Sequence, residues 1–233
     1  MQILEVRVQT QDVAAQRAFY AMTLGLSLLD EGAGSFTVQV GTSRLVFEEA
    51  AQGNALYHIA ITIPRNRLAA AKGWLAARTA LLPKGGQDEF EFASWAAHAI
   101  YFRDPTGNIL ELIARQTIPN DASGAFGPGD MLCVSEIGLP VDDVSARAAA
   151  LTATLGIAPY KEHSDAFAPL GDEHGLCIVV AVGRPWFPTD TPAVVAPVAL
   201  TLSGPYGHRY EVPALPYDIT ITSMERHRDK KPG

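Results

Sequence analysis

The opening of this chain recurs 131 residues further on. Glu5, Asp12, Leu24 and Gly25 have counterparts in Glu136, Asp143, Leu155 and Gly156, and an Ala-rich stretch follows the Asp in both copies. Repetition of this kind restricts a 233-residue chain to folds assembled from like modules. The module itself is legible. Residues 3–10 alternate, with Leu4, Val6 and Val8 on one side and Glu5, Arg7 and Gln9 on the other, which specifies a strand with one dry and one polar face. Asp12 caps an expected helix over residues 13–24, and Gly25 ends it. Strands at 27–30, 35–40 and 44–48 follow, separated by Gly-containing turns, so the unit reads β-α-β-β-β.

A second unit follows directly. Residues 57–63 alternate with Ile59, Ile61 and Ile63 dry and His58, Ala60 and Thr62 opposite. A helix over 66–78 and strands at 90–94, 99–103 and 109–114 complete it. The last two strands flank Asp104-Pro-Thr-Gly-Asn108, where Pro105 presets φ and Gly107 can turn left-handed, a natural hairpin. Residues 116–130 read as a linker, 131–225 as a third module plus a degraded fourth without a helix, and 226–233 as a solvated tail. The expected fold is α+β: repeated βαβββ modules forming curved, mainly antiparallel half-barrel sheets with helices outside, residues 1–115 packing as one paired unit.

A net charge of -7 argues against a nucleic-acid or anionic-membrane surface. No apolar run approaches transmembrane length, no secretory leader is evident after Met1, and Cys133 and Cys177 form no framework, so a cytoplasmic protein with two reduced thiols is expected.

Three polar residues occupy matched places in the first two modules. Glu5 and His58 lie in opening strands, Glu111 lies amid Ile109, Leu110, Leu112 and Ile113 in a closing strand, and the gaps 5 to 58 and 58 to 111 are equal. A carboxylate within an apolar strand is costly unless paired, metal-bound or facing a wet cavity. Taken singly, each has an ordinary reading, a hydrogen-bonded core histidine or a paired surface acid. Taken together, one imidazole and two carboxylates suit a divalent Fe, Mn, Zn, Ni or Co ion with open positions for substrate.

Several runs resemble a known superfamily. Glu5-Val-Arg-Val-Gln-Thr-Gln-Asp12, Phe19-Tyr20 and Leu24-Gly-Leu26 resemble the first module of vicinal oxygen chelate proteins; His58-Ile-Ala-Ile-Thr-Ile63 and Phe102-Arg-Asp-Pro-Thr-Gly-Asn-Ile-Leu-Glu111 resemble the second. The superfamily includes glyoxalase I, bleomycin-binding proteins and extradiol ring-cleavage dioxygenases. The resemblance covers residues 1–115 well and about 131–182 more weakly. It implies a metal held by Glu5, His58 and Glu111, with Glu5 where the superfamily commonly has His, and Glu48 near the fourth ligand of glyoxalase I. Tyr101, ten positions before Glu111, matches a catalytic Tyr of the extradiol branch, and His98 is a second acid/base candidate on the same strand.

The implied function is a divalent-metal-dependent enzyme, extradiol dioxygenase-like, acting on a small oxygenated molecule. The alternative is a metal-free protein that binds or sequesters a small molecule, as bleomycin-resistance relatives do. The second half reads as structural, shielding the first sheet or making a subunit contact such as a homodimer interface, and Gly183-Arg-Pro-Trp-Phe-Pro188 reads as a rigid anchoring turn.

Overall fold

The computed structural model describes residues 1–50 and 55–223; the tail expected at 226–233 lies outside them. The first module consists of β1 (Ile3–Thr10), α1 (Val13–Ala18, closing in a π-helical turn over Phe19–Thr23), β2 (Leu28–Gly32), β3 (Ser35–Val40) and β4 (Ser43–Glu49). The second has β5 (His58–Ile63), α2 (Leu68–Ala76), β6 (Phe90–Phe92), β7 (Ala97–Arg103) and β8 (Ile109–Arg115). The third has β9 (Cys133–Val141), α3 (Val144–Leu155), β10 (Phe167–Asp172) and β11 (Gly175–Ala181); the fourth keeps only β12 (Val198–Gly204), β13 (His208–Glu211) and β14 (Tyr217–Ser223). In every module the opening strand runs parallel to the closing one: β1 with β4, β5 with β8, β9 with β11, β12 with β14. The remaining pairings are antiparallel, so both sheets are mixed and the modular α+β architecture stands as expected.

Module partnership differs from the expectation. One seven-stranded sheet has the order β13-β14-β12-β1-β4-β3-β2, the other β10-β11-β9-β5-β8-β7-β6. The first module therefore joins the fourth through β1 and β12, and the second joins the third through β5 and β9. Residues 1–115 do not form one sheet unit. The reason is physical: alternation fixes which face of a strand is dry, but ladder hydrogen bonds use backbone groups common to every residue and leave the neighbour open.

The dry faces of both sheets share one core with the helices. Val6 and Val8 of β1, Ile59, Ile61 and Ile63 of β5, Leu68, Ala71 and Leu75 of α2, and Leu151 and Leu155 of α3 all belong to it. Asp12 and Asp143 cap α1 and α3 as the sequence suggests, their carboxylates accepting from the Ala15 and Ala146 amides. Residues 116–130 hold no strand and are tied to the second module, Arg65 pairing with Asp121 and Asn66 bonding the Ala122 backbone.

The Asp104–Asn108 turn fastens the two sheets together. Asp104 is buried and accepts from Gln16 Nε2 at 2.7 Å and Tyr20 Oη at 3.1 Å on the first module's helix, and from Asn108 Nδ2 at 2.7 Å within its own turn. Asn108 in turn accepts from the Tyr57 amide just before β5. Burial raises the Asp104 carboxyl pKa, and these donors partly offset the rise. Asp104→Ala would strand several buried donors at once. We expect a loss of roughly 3–5 kcal/mol, read as a lowered urea midpoint, with no change in ligand content per folded molecule.

Candidate metal centre

Strand register brings a row of side chains onto the face of the second sheet that points away from the shared core. Across β7, β8, β5 and β9, Tyr101 is opposite Glu111, Glu111 is beside Ala60, and Ala60 is opposite Glu136. Neighbouring strands lie about 4.8 Å apart, so the two glutamate backbones stand roughly two strand spacings apart. Ala60, between them, has a side chain too short to fill the space, and His58 enters two residues earlier on the same face of β5. His58 Nε2 lies 3.1 Å from Glu111 Oε2. One ligand atom from each of His58, Glu111 and Glu136 falls within 4.8 Å of the other two, and all three residues are buried.

Arg115 completes the polar cluster from the end of β8. It is buried and ion-pairs with Glu136, while its Nε and Nη1 have no partner among the described residues. Burial raises the Glu136 carboxyl pKa, Arg115 pulls it down, and the charge of Glu111 pushes it up again. Burial, then the charges of Glu111 and Glu136, hold the Tyr101 hydroxyl well above its ordinary range, so it stays protonated and can act as a donor.

His58, Glu111, Glu136, Tyr101 and Arg184 lie at the wall of a cavity of about 220 Å³, lined otherwise by apolar and aromatic groups such as Ile113, Ile178, Trp95 and Phe167. The segment between β11 and β12 covers it. Trp186 stacks on His58 at 5.1 Å between ring centroids and 13° between planes, and Phe187 meets Tyr101 edge-on at 5.5 Å. Gly138 of β9 makes that stacking possible, since a Cβ there would come 2.5 Å from the Trp186 ring.

Not every residue singled out in the sequence is here. His58, Glu111 and Tyr101 are brought together. Glu5 is not: it lies in the other sheet, between Arg7 and Arg44, with Arg44 Nη2 2.8 Å from its Oε2. Glu48 pairs with Arg7 in that same network. His98 pairs in register with Glu91 and Ala114 and does not line the cavity, consistent with its opposite parity to Tyr101. The missed residues are Glu136, Arg115, Trp186 and Arg184. The repeat itself carried the signal for Glu136, which is the counterpart of Glu5. The second half is thus part of the site, and its Trp186–Phe187 turn is a cavity wall.

Solved structures share this architecture. A "putative dioxygenase" from Bacillus subtilis superposes with TM-score 0.63 at 14% sequence identity, over 96% of this chain and 85% of that one. A glyoxalase I variant from Zea mays superposes with TM-score 0.55 at 16% identity, over 94% and 91%. The chain has the vicinal oxygen chelate fold. At these identities the likeness concerns the fold alone. No protein-family model matches the sequence, and no curated protein does. Among the described residues no helix is long and apolar enough to cross a membrane.

The donor set of this site suits a hard or borderline divalent ion. Bonds of about 2.0–2.2 Å to nitrogen and carboxylate oxygen would draw the three ligand atoms, which stand within 4.8 Å of one another, closer together. An ion would also relieve the repulsion between two buried carboxylates. We expect His58→Ala and Glu136→Gln each to remove most bound metal from protein purified without chelator or affinity tag, and Glu5→Gln to leave it unchanged. Elemental analysis of the folded variants decides; equal losses in the Glu5 and Glu136 variants would contradict the assignment.

Proposed function

We propose that this protein is a divalent-metal-dependent enzyme acting on a small oxygenated organic molecule, with ring-cleaving dioxygenase chemistry the leading reaction class. One observation carries the reading: His58, Glu111 and Glu136 present three donors at the wall of an aromatic-lined cavity. A metal held there supplies Lewis acidity toward adjacent substrate oxygens. The chain supplies the rest. Trp186 stacks on the His58 ring and Phe187 packs edge-on against Tyr101, holding both beside the cavity. Tyr101, protonated and beside Glu111, donates a hydrogen bond toward negative charge developing on substrate oxygen. The Bacillus subtilis protein sharing the fold lends the dioxygenase class its support.

The second reading is a metal-free small-molecule binder. The Arg115–Glu136 ion pair favours it, because it gives one carboxylate a cation from the chain itself. Metal content separates the two: a full equivalent retained through dialysis supports the enzyme, and none taken up from any of the five ions supports the binder. A screen of catechols and small α-keto thiol adducts then identifies the reaction.

Tyr101→Phe tests the donor role. We expect turnover to fall by about ten- to a thousandfold while metal content holds, because removing one preorganised donor costs that much. A drop of about 1 kcal/mol in stability with unchanged turnover per folded molecule would make Tyr101 a core residue instead.

A further inference from the structure

Arg184 stands out among the cavity residues because no acid among the described residues neutralises it. Its guanidinium lies 4.9 Å from the centre of the Phe167 ring, half-buried at the cavity. Among the described residues no carboxylate or carbonyl accepts from its guanidinium and no ion pair includes it. Burial alone acts on its pKa, downward, with no acid opposing the shift. Arg115, a second guanidinium nearby, pairs with Glu136 through Nη2 and does not line the cavity. A guanidinium keeps its charge in any environment and presents planar N–H donors that match a carboxylate in bidentate fashion. The cation–π contact with Phe167 holds the group at the cavity and uses none of its N–H donors in a hydrogen bond.

The cavity's size limits what the ligand can be. A dry cavity of about 150 Å³ takes a benzene ring. At about 220 Å³ this one has room for a single ring with short substituents, and its aromatic walls suit a planar one. The metal-ligating cluster and Arg184 both border this one space.

We propose that the cavity selects a monocyclic aromatic carboxylate, the ring lying among the aromatic walls and the carboxylate held by Arg184. This rests on the reading of the cavity as a small-molecule site and adds the substrate's anionic group to it. In the enzyme reading the carboxylate is a handle and takes no part in the bond changes.

Benzoate and benzamide, nearly equal in shape and different in charge, test the idea. Their binding to the full-length protein is measured by calorimetry and by quenching of tryptophan fluorescence, first as purified and then after removal of metal by chelator. We expect benzoate to bind at least tenfold more tightly than benzamide in both states. Arg184→Gln should erase that ratio while leaving benzamide affinity unchanged, and Arg184→Lys should retain part of it. A ratio near one in the unaltered protein, or a tenfold ratio that survives Arg184→Gln, overturns the proposal. A ratio that disappears on metal removal alone also overturns it, since the carboxylate then binds the metal, and the metal centre stands. If the protein binds no metal and Arg184→Gln still erases the ratio, Arg184 recognition stands and the metal reading fails.

Discussion

Backbone hydrogen bonds between β5 and β9 set Ala60 opposite Glu136, while those between β5 and β8 set Ala60 beside Glu111. With those two ladders formed, two carboxylates face each other across a methyl group and His58 enters from the same strand. A one-residue slip on either side would turn a glutamate into the core, because side chains alternate faces along a strand. The pairing has to hold despite the charges it brings together, and the apolar residues around it supply the means. Ile59 and Ile61 of β5, Ile137 of β9 and Leu110 and Leu112 of β8 are all buried on the opposite face.

The electrostatics of the site follow from that geometry. Two buried carboxylates repel in a medium where charge is poorly screened, and Arg115 relieves only one of them. The site is therefore disposed toward a further cation or a proton, and Glu136 already shows the tension in its raised pKa. His58, Glu111 and Glu136 are buried beside the Trp186–Phe187 turn, and polar interactions among buried groups are stronger than in water.

The other sheet shows the same module position under different circumstances. Glu5 occupies in β1 the place that Glu136 occupies in β9, yet it sits opposite Thr201 and beside Arg44, and its charge is met by Arg7 and Arg44. No histidine and no second buried acid stand across from it among the described residues. Duplication thus produced two comparable sheet faces, one whose charges are balanced near the surface and one whose charges are buried beneath aromatic rings.

The sequence by itself determined the modules, their strand faces, the capped helices and the Asp104–Asn108 turn, and it placed His58 and Glu111 on polar faces of apolar strands. All of these arise from periodicity and turn chemistry acting over about ten residues. It also held the relation between Glu5 and Glu136. Only the tertiary structure decided which of the two joins His58, because that choice depends on which opening strands become neighbours. Ladder bonds are made by backbone groups that Glu5 and Glu136 share with every other residue, so neither local pattern distinguishes them. The same holds for Trp186 and Arg184, which reach the cavity only because the chain between β11 and β12 passes over the face that β5 and β9 create together.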